Sequence, residues 1–511
     1  MDDGTRRILI IGGGTAGWLS AAYLAKALAL PDNPHLAITL VESSEIGIIG
    51  VGEGTFPTIR ETLRFLDIDE RKFVRESSAT FKQGILFNDW LREPEAGKRH
   101  RFFHPFEAPF YSEETSLVPY WLLQEPNSRP SFAEAVTIQN RVAGAKRGPK
   151  RLGEPDFDGP LNYAYHIDAG SVARLLAERA QELGVVHLTG ELEHAELDGN
   201  GAISRVVLKD GRTLEADLYI DCSGFRAELI GGTLGSPFRS VRTTLFADRA
   251  ATCKLPYDDP DAPIESYTLA NAHEGGWTWD IGLAGARGIG CVYSSDHIGD
   301  ERAFAILRDY VGPRLNEDAV RVIAFDTGYR ERQWVGNCVS VGLSAGFLEP
   351  LEATGLVLIE AAVGMIAELF PHHGPVDAPA PRFNQLMTAR FENIVKFLKL
   401  HYCLSQRSEP FWRENADPAT IPDELQELLG QWRYRPPGRF DFILDVESFA
   451  FFNYQYILYG MEFQTDLSAG RSDFPNAAAA QRLFDRIRML SEKAARDLPS
   501  HRQLVSELTA A

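Results

Sequence analysis

Ile8 to Ile11 is a short apolar run that ends on glycine, the pattern of a buried parallel strand. Thr15 to Leu30 follows, rich in alanine and leucine, and predicts a helix. Ala37 to Glu42 is a second apolar run, closing on an acid. Strand, helix and strand at this spacing predict a βαβ unit. The middle of the chain returns to the pattern. Ser171 to Leu183 predicts a helix, Val185 to Leu188 a strand, and Ile203 to Leu214 a hairpin through Gly211. Ala216 to Cys222 predicts a further strand, ending in Asp221-Cys222-Ser223-Gly224. Cys338 to Val341 predicts a third strand, which leads through a turn into an apolar helix from Thr354 to Phe370. Three separated pieces, about 1–60, 160–235 and 320–370, thus compose one discontinuous nucleotide-binding fold.

Between the pieces, the patterning changes. Pro94 to Pro160 mixes aromatics, prolines and charges and reads as irregular surface structure. Val241 to Ser295 alternates and reads as mainly β. After Pro381 the pattern is helical, over Asn384 to Leu404, Pro422 to Leu429 and Asn476 to Asp497. The fold class expected is mixed α/β and α+β. Residues 1–375 form a module with a β-rich substrate part, and 376–511 a mostly helical C-terminal subdomain covering the substrate pocket.

Composition narrows the function. The 511 residues carry 71 acidic against 52 basic side chains, a net charge of -19. That balance argues against nucleic-acid or anionic-membrane partners, which need basic surface. No segment approaches the roughly 20 apolar residues that span a bilayer. The first apolar run leads into glycines with no cleavage-site pattern, so a cytoplasmic protein is expected. The five cysteines are scattered without CxxC spacing, which predicts buried thiols and no metal site.

Chemistry begins at Gly12-x-Gly14-x-x-Gly17, placed between strand and helix. The first glycine permits a tight turn, the second lets backbone approach a pyrophosphate, and the third packs helix on strand. The helix start, through Thr15 and Ala16, offers free N–H groups and a positive dipole end. Glu42 stands where an acid grips a ribose hydroxyl. The Asp221 to Gly224 turn and the late turn through Ser344 and Gly346 favour FAD over NAD, because proteins of the glutathione-reductase-like fold return the chain twice to FAD in this way. Where those proteins carry a Gly-Asp pair, this chain reads Gly342-Leu343-Ser344-Ala345-Gly346, so Ser344 stands in for the Asp.

Five segments then resemble the flavin-dependent halogenases of the tryptophan-halogenase family. They are Gly12-Gly13-Gly14-Thr15-Ala16-Gly17-Trp18, Gly50-Val51-Gly52-Glu53-Gly54-Thr55, Phe81-Lys82-Gln83-Gly84, Trp277-Thr278-Trp279-Asp280-Ile281 and Glu349-Pro350-Leu351-Glu352-Ala353-Thr354-Gly355. One departure stands out: Gly282 replaces the proline that closes the family's WxWxIP signature.

The resemblance implies the following roles. Reduced FAD, O2 and chloride or bromide give hypohalous acid, which an internal tunnel carries to Lys82 for electrophilic attack by an aromatic ring. Gly52, Gly54 and Thr55 belong to a strap linking the flavin and substrate sites. Glu352 is the catalytic carboxylate, preferred to Glu349, and the N–H groups of Thr354 and Gly355 hold the halide. Trp277 and Trp279 wall the substrate from the flavin. His104 and Phe106 face the substrate, with Phe449 and Tyr454 completing an aromatic pocket. His166 and Asp168 also recur in the family and read as structural. A separate flavin reductase supplies reduced FAD, since the chain has no second nucleotide fingerprint, and a homodimer is compatible with the family. The substrate expected is an indole or tryptophan-like ring first, a phenol or pyrrole next. The polar cluster that holds free tryptophan in specialised members is not recognisable here.

Taken singly, each residue has a plainer reading. Lys82 alone is a surface lysine, Glu352 a first-turn acid, Thr354 a cap, and the two tryptophans core rings. Two rival functions share the FAD fold: an aromatic monooxygenase, which has no need of Lys82, and a non-catalytic flavin-binding module.

Overall fold

The computed structural model describes residues 5–45, 47, 52–112, 115–443 and 447–510. Gly50 and Val51 of the strap lie outside them. The chain divides into two compact units. The first comprises residues 1–78, 167–242 and 325–392, and the second 79–166, 243–324 and 393–511.

The first unit is built on a six-stranded sheet. Its order is Val186–Thr189, Leu36–Glu42, Arg6–Ile11, Leu218–Asp221, Cys338–Ser340, Trp334–Val335. All pairings are parallel except the last. Ile8, Leu9, Ile10 and Ile11 are buried, as a parallel strand covered on both faces requires. Helices Thr15–Ala27, Ala169–Glu182 and Thr354–Leu369 belong to this unit and pack together. The α/β fold class is as expected.

The second unit is built on a seven-stranded sheet. Its order is Arg321–Ala324, Arg249–Pro256, Ala286–Tyr293, Gly276–Gly282, Thr268–His273, Gly84–Asn88, Arg101–Pro105. Only the Thr268–His273 and Gly84–Asn88 strands run parallel. The β-rich reading of Val241 to Ser295 holds.

Two expectations need correction. Pro94 to Pro160 is not irregular surface: it holds the sheet strand Arg101–Pro105 and helices Leu117–Leu122, Phe132–Val136 and Gln139–Gly144. Its aromatics Phe102, Phe103, Trp121 and Phe132 are buried, and that apolar area outweighs the prolines, which end the strand (Pro105) or fit a first helical turn (Pro119). The first helix stops at Ala27 rather than Leu30, with Ala29 left-handed at φ 53° just before Leu30-Pro31. Residues 393–511 cluster with 79–166 and 243–324. Three helices there were not foreseen: Pro410–Asn415, Phe451–Gly460, and His501–Thr509, whose cap Ser500 accepts the Gln503 N–H at 3.1 Å.

Candidate active site

In the first unit, the glycine turn is shaped by contact. A side chain on Gly12, at φ +115°, would overlap the Cys222 carbonyl, and one on Gly17 would overlap the Gly12 carbonyl. A side chain on Gly13 would overlap Glu42, so the Glu42 carboxylate lies against the turn. A Cβ on Gly14 meets nothing within 4 Å. Helix Thr15–Ala27 starts there with no side-chain cap and no acid in its first turn. Its first N–H groups have no intrahelical acceptors, and no acid in its first turn meets the positive end of its dipole. An open glycine, a bare helix start and a neighbouring carboxylate fit a dinucleotide pyrophosphate and ribose.

His187 adds a partner that the sequence did not reveal. Its Nε2 lies 3.1 Å from Glu42 Oε2, and its ring stands edge-on to Trp18, with centroids 4.9 Å apart. Nothing in the local pattern marks His187; only the pairing of the Val186–Thr189 strand with Leu36–Glu42 brings it to Glu42.

Asp221 and Ser344 shape the site through the backbone. The Asp221 carboxylate accepts from Ser223 N (3.0 Å), Ser223 Oγ (2.6 Å), Leu229 N (2.9 Å) and Ile230 N (2.8 Å). It is committed to its own turn, which leaves Gly224 at φ +73° with open space where a Cβ would be. The Ser344 hydroxyl donates to the Asp221 and Val341 carbonyls, so its stand-in role is to bind turn to turn. Gly342 lets this late turn approach Ala16, and Gly346 lets its strand approach Gly328 and Tyr329.

The strap residues Gly52, at φ +104°, and Thr55, fully buried, flank strand Glu53–Gly54. Glu53 was not singled out from sequence. Burial, then the nearby Asp168, pushes its carboxyl up to about 7. Asp168 itself caps helix Ala169–Glu182 by accepting from Ser171 N at 3.0 Å, as its structural reading expects.

Helix Thr354–Leu369 begins after Ala353, which is left-handed at φ 58°, and after the turn Pro350–Glu352. Glu349 and Glu352 are both buried, at 1% and 3% exposure. The helix start has no side-chain cap and no acid in its first turn, and a Cβ on Gly355 would meet nothing within 4 Å. The N–H groups of Thr354 and Gly355, in the first turn, have no intrahelical acceptors.

In the second unit, Lys82 ends strand Thr80–Lys82, paired antiparallel with Ala164–Ile167. It is fully buried, its Nζ 5.3 Å from the Phe106 ring centre. Gly84 lets the Arg101–Pro105 strand close in, since a Cβ there would overlap the His104 carbonyl. His104 Nε2 lies 2.9 Å from Asn453 Oδ1. The His104 ring stands 6.0 Å from both Phe397 and Tyr456, and Phe397 stacks on Phe449 at 3.9 Å and meets Tyr454 at 4.8 Å. His104, Phe449 and Tyr454 thus meet around Phe397, and Lys82 has the Phe106 ring beside it. Asn453 and Tyr456 join the group at His104. Asn453 and Tyr456 share a face only because residues 451–460 form a helix, which the aromatic run did not predict.

Trp277 and Trp279 lie on strand Gly276–Gly282 with ring centroids 6.2 Å apart, both buried. The Trp279 indole N–H is buried and has no acceptor among the described residues. Gly282 ends this strand. A Cβ there would stand 2.7 Å from Ile264 Cγ2 and 3.1 Å from the Tyr257 hydroxyl, so these side chains take the room a proline ring would need. The Gly282 carbonyl accepts the Thr80 hydroxyl, which ties the signature strand to the strand of Lys82.

The family model for tryptophan halogenases matches residues 7–473. The chain belongs to the tryptophan halogenase family. It is 32% identical to the tryptophan 6-halogenase SttH of Streptomyces toxytricini over 97% of this chain and 96% of that one. It is 36% identical to the tryptophan 7-halogenase RebH of Lentzea aerocolonigenes over 84% and 82%. The crystal structure of a tryptophan halogenase from Shewanella frigidimarina superposes with a TM-score of 0.92 at 37% identity, covering 100% of this chain and 98% of that one. This halogenase is a flavin-dependent enzyme with FAD as its cofactor, and the glycine turn of its first unit fits that cofactor. No helix among its described residues is long and apolar enough to cross a membrane, and none of its described residues group as a metal site.

Proposed function

We propose that this halogenase halogenates an electron-rich aromatic ring, with tryptophan or a related indole as the first substrate class and a phenol or pyrrole as the next. Reduced FAD, supplied by a separate flavin reductase, provides with O2 and chloride or bromide the hypohalous acid that the reaction uses. The chain's own residues do the rest. The bare starts of helices Thr15–Ala27 and Thr354–Leu369 take the pyrophosphate and the halide. Gly52, Gly54 and Thr55 of the strap would help to hold the flavin. Lys82 presents the halogenating species to the ring, and Glu352 accepts the proton that the ring loses.

The observation that carries the reading is the burial of Lys82. An ammonium at 0% exposure, beside the Phe106 ring, acts in a medium where its field is little screened. A surface lysine would leave that field to water. The tryptophan names of the relatives direct the first choice of substrate, and the aromatic side chains of His104, Phe106, Phe449 and Tyr454 suit a flat ring. Trp277 and Trp279 keep that ring from direct oxygen transfer.

The test supplies reduced FAD, O2, bromide and a panel of tryptophan, indole, phenol and pyrrole, with products read by mass. Brominated arene is expected. Hydroxylated arene without bromination would replace this reading with a monooxygenase. Lys82→Met is expected to consume reduced flavin and release hypohalous acid while brominating little. Wild-type bromination by that variant would remove Lys82 from the chemistry.

A further inference from the structure

The strand that carries Lys82 is three residues long, too short to hold a side chain by itself. One edge pairs with Ala164–Ile167. Its other edge presents the N–H groups of Phe81 and Gln83, alternate residues and therefore on one side. Gln83 N–H donates to the Ser266 carbonyl at 2.7 Å. Phe81 N–H has no strand to meet. It donates instead to Nε2 of His501 at 2.8 Å, from the C-terminal helix His501–Thr509.

The imidazole is itself fixed. His501 is fully buried, and its Nδ1 lies 3.2 Å from the Ile264 carbonyl. Since Nε2 accepts, Nδ1 carries the proton and donates. Burial pushes His501 down to about 4, which keeps Nε2 unprotonated at neutral pH. The helix start is anchored around it. His501 N–H donates to the Lys146 carbonyl at 2.9 Å, and the Arg502 guanidinium donates to the carbonyls of Ala262 (2.8 Å) and Ala284 (2.6 Å).

We infer that His501 is a positioning residue for Lys82: its imidazole replaces a missing strand partner and fixes the backbone next to the lysine. The inference rests on the reading of Lys82 given above. A peptide N–H in a buried strand needs an acceptor, and a side-chain ring supplies one where no backbone carbonyl reaches. Lys82 is the next residue, so slack at Phe81 passes directly to the ammonium.

The experiment compares the full chain with His501→Leu, His501→Gln and Lys82→Met, loaded with reduced FAD, bromide and tryptophan. It measures brominated product per reduced flavin consumed, free hypohalous acid by a chemical trap, and FAD affinity. His501→Leu removes the acceptor. It is expected to lower product per flavin by about tenfold to 10²-fold, the scale of a misplaced reacting group, while released hypohalous acid rises and FAD affinity holds. His501→Gln keeps an acceptor oxygen and is expected to recover product to within about threefold of wild type. Wild-type coupling in His501→Leu, or no recovery in His501→Gln, overturns the inference. Wild-type bromination in Lys82→Met overturns the Lys82 reading instead. Nitrogen NMR of the unaltered protein tests the inference independently of every variant. A neutral His501 protonated on Nδ1 is expected at pH 7, and an imidazolium or the Nε2–H form there overturns it.

Discussion

The six-membered ring of Trp279 occupies the space where a side chain on Gly290 would stand, and the two residues face each other across adjacent antiparallel strands. The glycine is therefore part of the tryptophan signature, although it lies on the next strand. Gly290→Ala must displace the ring. Overpacking of this kind costs about 1–3 kcal/mol, readable as a lower denaturant midpoint. With Trp279 displaced, the share of hydroxylated over halogenated product is expected to rise. An unchanged product ratio in a measurably destabilised variant would show that Trp279 is core and not a wall.

Gly12 and Gly14 separate folding from cofactor binding. Gly12→Ala meets the Cys222 carbonyl at a φ that disfavours any side chain, and soluble folded protein is expected to fall sharply. Gly14→Val adds its methyl groups where the protein has no atoms near the Cβ. Its melting temperature without FAD is expected to match wild type, while FAD affinity falls about tenfold or more, because the pyrophosphate needs that space. Titration by flavin fluorescence, beside thermal melts, distinguishes the two. A Gly14→Val chain that binds FAD normally would move the phosphates elsewhere.

Much of this was legible before the structure. The parallel strands are continuous apolar runs, and the Thr354–Leu369 helix is apolar over most of its faces, so local pattern and tertiary burial agree there. Gly12 and Gly17 were legible because each answers a close approach that sequence spacing encodes. The contacts that cross long stretches of chain were not. His187 reaches Glu42 through sheet order, and His501 reaches Phe81 across 420 positions. Neither residue sits in a recognisable motif, and each is placed by tertiary pairing alone. The Phe451–Gly460 helix was missed for a related reason. Its run Phe-Phe-Asn-Tyr-Gln-Tyr is aromatic, a composition that favours strands, and burial of six of its residues overrides that preference.

Glu352 and Glu349 are both buried beside the start of helix Thr354–Leu369, and their roles are separable. Glu352→Gln keeps the shape and removes the base. Halogenation is expected to fall about 10²-fold or more, the usual size of a lost acid–base group, with reduced flavin still consumed. Glu349→Gln is expected to lose less. Product rates at saturating bromide, with flavin reoxidation followed in parallel, decide between them. If Glu349→Gln lost more than Glu352→Gln, the carboxylate assignment would move to Glu349.

Glu360 gives the first unit a pH-dependent term in its stability. Its oxygens accept the hydroxyls of Thr58 at 2.7 Å and Thr62 at 2.5 Å, from the end of the strap connection and from helix Ile59–Phe65. Burial is the largest influence on it and outweighs both hydroxyls, which favour the anion, so the carboxyl is pushed from 4.5 up to about 7. Tyr23 is pushed up by its own burial and next by Glu360, then Glu368, which places the three groups in one region. The folded protein therefore binds the Glu360 proton more tightly than the unfolded chain does. That contribution to stability is present below pH 4.5 and is lost as pH rises toward 7. Glu360→Gln holds the neutral shape at every pH. Relative to wild type it is expected to melt about 2–4 °C higher at pH 8, by the usual relation of stability to melting temperature in a body of this size, and equally at pH 5. A gain of the same size at both pH values would assign the effect to packing, and no gain at pH 8 would place the Glu360 carboxylate in water.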